Sequence, residues 1–197
     1  IEYGANSITI HLREDRRHIR DSDLKIISSD KSILLNLEIS SNLKMLKIAL
    51  KHKPNFICLV PEKRKEITTE GGLNLKKNIK KLKYIVNILN NYNIRTSLFI
   101  NPTMSNVKLS KYIGSKCIEL HTGTISNKIK NKKSYHKELK NLKKCSNLAK
   151  SLGLEVHAGH GMDYKTAKIL SKISEIHEFN IGHFIIGESI IYGLRKV

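Results

Sequence analysis

The sequence contains no tryptophan, only three prolines, and three cysteines without any C-x-x-C spacing. Such scattered cysteines exclude a disulfide framework, so we expect reduced thiols and a cytoplasmic protein. No apolar run approaches the roughly 18 residues of a membrane span, and no signal peptide opens the chain, so we expect no membrane partner. With 197 residues and a hydrophobic content of 40%, the chain is expected to form one domain spanning residues 1–197.

Acidic residues are few, and 36 Lys and Arg against 17 Asp and Glu give a net charge of +19. Such a charge is typical of nucleic-acid binding. The lysines, however, are spread along helical stretches without interleaved aromatics, and the chain is rich in Ile, Asn and Lys, as coding sequence from an A+T-rich genome tends to be. We therefore expect no specific nucleic-acid partner, although anionic substrates would be attracted by this field.

Runs of β-branched and apolar residues alternate with stretches of helical apolar spacing. Seven strands are predicted, at Ser7–Leu12, Ile33–Glu38, Phe56–Pro61, Arg95–Ile100, Cys117–His121, Glu155–Ala158 and Phe179–Ile181. The predicted helices are Asp21–Ser29 with Ile26 and Ile27 inward, Ser41–Lys51, Lys76–Asn91, Asn106–Ile113, Ser134–Leu152, Tyr164–Ile173, and one from Gly187 onward. Alternation without any hairpin signal is typical of a parallel α/β sheet.

The count of strands points to a barrel. Seven strands and 197 residues are one strand short of a (β/α)8 TIM barrel and below its typical ~250 residues. The chain also begins at Ile1 without an initiator Met. We therefore expect an α/β TIM barrel that lacks the first βα unit and the end of the last helix, as a fragment of a longer chain.

Ionisable residues follow almost every predicted strand. They are His11, Arg13 and His18 after the first, Glu38 in the second, Glu119 and His121 in the fifth, His160 after the sixth and His183 after the seventh. Alternation places Asn36 and Glu38 on one face. The carboxyl ends of barrel strands meet at one mouth, so these groups indicate an active site, with a solvated charged loop as the alternative at each strand taken singly.

Two glycine turns predict a phosphate site. Gly159-His160-Gly161 and Gly182-His183 leave backbone N–H groups open to a ligand, and barrels often bind phosphate after their last two strands. Gly187 would suit the start of the accompanying helix. Tight turns that require a positive φ are the alternative interpretation.

Metal and cofactor signatures are scarce. His157 and His160 lie on a strand and a turn rather than one helix, no H-E-x-x-H occurs, and alternation predicts that His157 points away from the catalytic face. We expect no metal. No dinucleotide fingerprint is present either, and the absence of Lys within any predicted strand argues against a Schiff-base aldolase.

Longer motifs resemble the pyridoxine 5′-phosphate synthase family from end to end. They are His11-Leu-Arg-Glu-Asp-Arg-Arg-His-Ile19, Asn36-Leu-Glu38, Leu59-Val-Pro-Glu-Lys-Arg64 with Thr68-Thr-Glu-Gly-Gly72, Glu119-Leu-His-Thr-Gly123, Ala158-Gly-His-Gly161 and Asn180-Ile-Gly-His183. The resemblance implies a (β/α)8 barrel that condenses 3-amino-2-oxopropyl phosphate with 1-deoxy-D-xylulose 5-phosphate. The implied products are pyridoxine 5′-phosphate, phosphate and water.

The same resemblance implies a role for each matching residue. His11 and Glu38 would be proton acceptors, His160 the proton donor, and Glu119 the carboxylate that stabilises the transition state. The implied phosphate-binding residues are Arg13, His18 and Thr68 for the deoxyxylulose phosphate, and Gly161, Gly182 and His183 for the amino-ketone phosphate. No cofactor is implied, and the family forms homo-oligomers, with an octamer expected.

Two alternatives stay open from the sequence. The family's first-strand Asn and Asp-His pair do not occur here, so a catalytically degenerate basic barrel that binds an anion or nucleic acid is one of them. Another phosphate-binding barrel enzyme, an isomerase or aldolase, is the second.

Overall fold

The computed structural model describes residues 1–62 and 71–197, in which strands and helices alternate. The strands are β1 (Ile8–His11), β2 (Leu35–Ser40), β3 (Phe56–Val60), β4 (Arg95–Ile100), β5 (Cys117–His121), β6 (Glu155–Gly159) and β7 (Ile176–Asn180). All seven pair in parallel in the order β1-β2-β3-β4-β5-β6-β7. The predicted parallel sheet is thereby confirmed, with strand ends shifted by up to three residues.

The helices cover the outer face of this sheet. They are α1 (Asp21–Ser29), α2 (Leu43–His52), α3 (Leu75–Asn91), α4 (Met104–Ile113), α5 (Gly123–Lys130), α6 (His136–Ser151), α7 (Tyr164–Leu170) and α8 (His183–Tyr192), followed by a short 3-10 helix (Leu194–Lys196). Among the described residues, none of the helices has the length and apolar character needed to cross a membrane.

The outer face of the sheet is apolar, and most of its polar side chains lie on the inner face, as β2 illustrates. Its Leu35, Leu37 and Ile39 belong to the main hydrophobic cluster that the sheet shares with the helices. Asn36 and Glu38 alternate with them and therefore point to the other, inner face. The main core thus lies between the sheet and the helices, which leaves the inner face available for chemistry.

Polar contacts show that the sheet curls into a barrel. The Thr9 hydroxyl on β1 donates to Asn180 Oδ1 on β7 at 3.0 Å, although these strands stand at opposite ends of the sheet order. Asn36 Nδ2 on β2 in turn donates to Thr9 Oγ1 at 3.2 Å. The predicted α/β barrel architecture is therefore confirmed.

Side-chain caps fix where several helices begin. Asn42, Thr103 and Asp163 each accept a hydrogen bond from a backbone N–H three residues later, at 2.8, 3.2 and 2.8 Å. These bonds satisfy donors that a helix start leaves open. The second helix consequently begins after Asn42, one residue beyond the predicted Ser41 cap.

Three details of the helices differ from the sequence prediction. Ile26 is 69% exposed and Leu24 is buried in its place, because α1 turns its narrow apolar stripe around Leu24 and Ile27. Helix α5 was not predicted. The last helix begins at His183 instead of Gly187, and Phe184 in its first turn packs edge-on against Tyr164, with ring centroids 4.8 Å apart.

We expect Ile100→Ala to lower the free energy of unfolding by about 2–5 kcal/mol, because Ile100 is fully buried against the helices and the truncation leaves a cavity. The matched control is Ile26→Ala on the exposed face of α1, which should change stability by less than about 0.5 kcal/mol. Urea unfolding of both variants gives the comparison. Equal losses at the two positions would contradict the placement of the core.

Candidate active site

His11, the last residue of β1, and Glu38, the fourth residue of β2, form one side of the barrel mouth. The mouth is the end of the barrel at which the carboxyl ends of the strands lie. His11 and Glu38 are register partners, so their side chains leave the sheet on the same inner face. His11 Nδ1 lies 3.7 Å from Glu38 Oε2, beyond hydrogen-bond length but close enough for strong electrostatic coupling.

Burial moves the pKa values of these two groups towards each other's usual range. Desolvation, followed by the positive charge of Arg13, lowers the pKa of His11 to about 4. Desolvation raises the pKa of Glu38 to about 7. At neutral pH the imidazole is therefore neutral, while the carboxyl group is close to its midpoint of titration and can both accept and return a proton.

Glu119 on β5 lies deeper in the barrel and is buried. Asn180 Nδ2 donates to its Oε2 at 3.0 Å, and the Cys58 thiol donates to the same oxygen at 3.7 Å. Burial, reinforced by the charge of Glu38, raises the pKa of Glu119 well above its usual range. The carboxyl group therefore keeps its proton to a higher pH than a free glutamic acid does, and in its protonated form it can donate a hydrogen bond.

A glycine on β6 makes the space that this carboxyl group occupies. A Cβ at Gly159 would collide with Glu119 Oε1 and would also contact the Asn180 side chain. Any side chain at position 159 would displace the carboxyl group, so only glycine fits beside Glu119 here.

Two imidazoles lie at the same end of the barrel, one on the last residue of β5 and the other directly after β6. The rings of His121 and His160 have centroids 4.9 Å apart, and Phe99 packs edge-on against His121 at 5.4 Å. Desolvation and the proximity of His160 lower the pKa of His121 to about 4. His121 is therefore neutral at physiological pH and forms an uncharged wall for His160.

The turn that carries His160 has an unusual backbone. His160 has a φ of +81° and Gly161 a φ of +73°, a left-handed pair in which the non-glycine residue is strained. The Thr122 hydroxyl lies 2.7 Å from the carbonyl oxygens of both Gly159 and His160, and the Thr122 N–H donates to Gly159. Thr122 thus holds the turn that presents His160.

The remaining predicted residues, those expected to bind phosphate, differ in their exposure and in their contacts. Arg13 is buried; its Nε lies 3.3 Å from Asp15 and its Nη2 lies 3.9 Å from Glu62. His18 is exposed on the loop after β1, and its charge contributes to the low pKa of His11. Gly182 and His183 are exposed at the start of α8, and Gly161 is exposed after β6. Thr68 lies outside the described residues.

The orientation predicted for His157 is wrong. His157 is the register partner of Glu119 and therefore shares its inner face. Its Nε2 lies 2.7 Å from Glu155, and its Nδ1 lies 3.4 Å from Glu178, on the side away from the mouth. Alternation within β6 gives only relative orientation, and the register with β5 decides which face His157 occupies.

Within the part of the chain that the structure describes, one group of potential metal ligands lies together. Cys117, Glu155 and His157 each offer a ligand atom within 4.8 Å of the others. The Arg95 guanidinium donates to Glu155 at 2.5 Å, so a divalent cation would have to compete with a positive charge already in place.

The structure brings His11, Glu38, Glu119 and His160 to the same end of one barrel, and their individual roles stay predictions. His121, which the sequence placed at this end without a role, lies there too. The structure adds polar residues that sequence reasoning did not assign, namely Cys58, Glu62, Thr122 and Asn180. Alternation along β7 could have found Asn180. Nothing periodic marks Glu62 or Thr122, which lie just beyond their strands.

A parallel α/β barrel with acids and bases at the carboxyl ends of its strands defines this chain as a TIM-barrel enzyme. Its fold resembles that of the YdjI aldolase from Escherichia coli K12, with a TM-score of 0.65 at 9% sequence identity over 94% of this chain and 68% of that one. A likeness at such low identity shows the fold alone.

The sequence comparisons identify the family. The model of the family "Pyridoxal phosphate biosynthesis protein PdxJ" matches residues 1–197. The chain is 62% identical to pyridoxine 5′-phosphate synthase of Pelagibacter ubique, over 100% of this chain and 82% of that protein. It is 48% identical to the Zymomonas mobilis synthase, over 98% and 74%. The chain belongs to the PdxJ family, which confirms the resemblance seen in its motifs.

The raised pKa of Glu38 makes a prediction for stability. Between the usual carboxyl pKa of 4.5 and about 7, Glu38 binds more protons in the folded chain than in the unfolded chain, so its own contribution to stability falls as pH rises through this window. Glu119 contributes in the same direction, whereas the lowered pKa values of His11 and His121 contribute in the opposite direction. Glu38→Gln cannot titrate, so we expect the change in stability from pH 5 to pH 7 to be more favourable in the variant than in the wild type. Urea unfolding at both pH values measures this, and equal changes in the two proteins would contradict the raised pKa.

Proposed function

We propose that this chain condenses 3-amino-2-oxopropyl phosphate with 1-deoxy-D-xylulose 5-phosphate, forming pyridoxine 5′-phosphate, phosphate and water. The observation that carries the proposal is the assembly of two carboxyl groups with raised pKa values and three imidazoles at one barrel mouth. Membership of the PdxJ family supports it independently. A degenerate basic barrel that only binds anions would have no need to keep such costly buried acids.

The condensation consists of imine formation, dehydration and ring closure, each of which moves protons. His11 is neutral at physiological pH and acts as a proton acceptor, as does the ionised form of Glu38. Since Glu38 titrates near pH 7, it returns its proton at little cost in a later step. His160, held on its strained turn beside Glu119, serves as the proton donor.

Glu119 has a different task from Glu38. Its protonated carboxyl group, fixed by Asn180 and accommodated by Gly159, donates a hydrogen bond to an oxygen that becomes negative in the transition state. Because the group is already oriented, no reorganisation is needed during the reaction.

The substrates carry two phosphate groups, and two sets of residues would bind them. Arg13 and His18 bind the phosphate of the deoxyxylulose substrate, Arg13 through its positive charge. Thr68, which the family resemblance adds to this set, lies outside the described residues. Gly161, together with Gly182 and His183 at the start of α8, binds the phosphate of the amino-ketone. A helix start offers unpaired N–H groups, which support this second site.

Phosphate release by the purified protein tests the proposal directly. Release is expected only when both substrates are present, with pyridoxine 5′-phosphate formed in the same amount. The absence of release with both substrates would contradict the proposed reaction, and release from one substrate alone would indicate a phosphatase instead.

We expect Glu38→Gln to lower kcat by about 10²–10⁴-fold with little change in KM, because the amide keeps the shape of the side chain but cannot accept a proton. Steady-state phosphate release gives both constants. If Glu38 were only a structural partner, the variant would melt earlier and its folded fraction would turn over at the wild-type rate, which would contradict the catalytic role.

Glu175→Gln is the matched control for that experiment. Glu175 precedes β7, at the end of the barrel opposite the mouth, and pairs with Lys150 at 3.6 Å. The same chemical change there should leave kcat within twofold of the wild type.

We also propose that the protein works in the cytoplasm as a homo-oligomer. All three cysteines are free and buried, which supports a reducing compartment. Helix α8 supports self-association because it exposes Ile186, Ile190 and Ile191 on a chain whose other large apolar residues are mostly buried. A second copy of the chain would cover this apolar face.

Light scattering on the wild type should give a mass of at least two chains. Ile190→Asp should lower that mass, since a charge at a residue that is 82% exposed in one chain becomes costly once covered. Lys172→Asp, at an exposed position shortly after α7, is the control and should leave the mass unchanged. A wild type that is monomeric at all concentrations would contradict the proposed self-association.

A further inference from the structure

Glu62 follows β3 directly, and its side chain is 4% exposed. It contacts the segment after β1 in three ways. The backbone N–H of Glu14 donates to Oε1 at 2.9 Å, and Arg13 Nη2 lies 3.9 Å from the same oxygen. The second oxygen, Oε2, lies 3.8 Å from His11 Nε2.

Glu62 and His11 lie close to each other without forming a hydrogen bond. Glu62 Oε2 and His11 Nε2 are both buried, and neither has a hydrogen-bond partner among the described residues. Buried polar atoms are rarely left so, because each costs about 1–3 kcal/mol. The two atoms face each other, and an approach of about 1 Å would join them in one hydrogen bond of ordinary length.

The imidazole of His11 therefore lies between two carboxyl groups. Nε2 faces Glu62 at 3.8 Å, and Nδ1 faces Glu38 at 3.7 Å. An ionised carboxylate accepts hydrogen bonds and donates none. If Glu62 accepts from Nε2–H, the single proton of the neutral imidazole is on Nε2, and the lone pair of Nδ1 is directed at Glu38. This is the arrangement by which a carboxylate selects the tautomer of a neighbouring histidine.

We propose that Glu62 is a positioning residue that holds the proton of His11 on Nε2 and so directs the basic Nδ1 towards Glu38 and the substrate. The proposal rests on the proposed function for its effect on turnover, while the tautomer itself does not depend on which reaction the site performs. Glu62 also holds Arg13, so one carboxylate orients both a base and a phosphate-binding cation.

The groups that face His11 are drawn from three segments. They are Glu38 on β2, Glu62 after β3, and Arg13, Asp15 and His18 on the loop that follows β1. Burial and Arg13 lower the pKa of His11 to about 4, so the imidazole is neutral over the working range and its tautomer is well defined.

Nitrogen-15 NMR of histidine-labelled protein tests the tautomer, with the His11 signals assigned by their loss in His11→Gln. We expect the proton on Nε2 in the wild type. In Glu62→Gln, the amide should accept from Glu14 N–H through its oxygen and present its NH2 to Nε2, which moves the His11 proton to Nδ1. A wild type with the proton on Nδ1, or an unchanged tautomer in the variant, would overturn the proposal.

Kinetics distinguish a positioning role from a structural one. Glu62→Gln should lower kcat by about 10- to 100-fold with KM changed less than threefold, and Glu175→Gln should change neither. A tautomer that switches without any loss of kcat would show that the His11 tautomer does not govern turnover, and it would contradict the positioning role of Glu62. Should the variant not fold, the wild-type spectrum alone still decides. Absence of phosphate release by the wild type would contradict the proposed function and leave the tautomer result standing.

Discussion

The burial of two carboxyl groups inside one barrel is the constraint on which the site depends. Glu38 and Glu119 both point inward, where desolvation raises both pKa values, and the charge of Glu38 adds to the rise for Glu119. A carboxyl group in such a place keeps its proton to a higher pH. One fold thereby obtains an acid–base group that titrates near pH 7 and a neutral hydrogen-bond donor from the same residue type, separated by depth and by their neighbours.

The difference between the two faces of the sheet allows the fold to tolerate these buried carboxyl groups. The outer face and the helices supply the large hydrophobic core, whereas Cys58, Val60 and Phe99 form a small apolar cluster on the inner face. Stability is therefore provided mainly outside the barrel, and the interior can hold polar groups that oppose folding. Gly159 completes the arrangement, since its missing side chain is the space in which Glu119 lies.

Much of this could be predicted from sequence because it depends on alternation along single strands. Asn36 with Glu38 is such a case, since a strand assigned from its own residues fixes both faces. The face of His157 was predicted wrongly because it depends on pairing between β5 and β6, which no local pattern contains. Glu62 lies beyond the end of β3, where periodicity stops, and only its contacts with His11 and Arg13 reveal it.

Infrared difference spectroscopy between the wild type and Glu119→Gln tests the central claim, that a buried carboxyl group in this barrel is held protonated at neutral pH. We expect the substitution to remove the C=O stretching band of a protonated carboxylic acid at pH 7, without the loss of any carboxylate band. Loss of a carboxylate band alone would show that Glu119 is ionised, and would contradict both its proposed role and the electrostatic basis of the site.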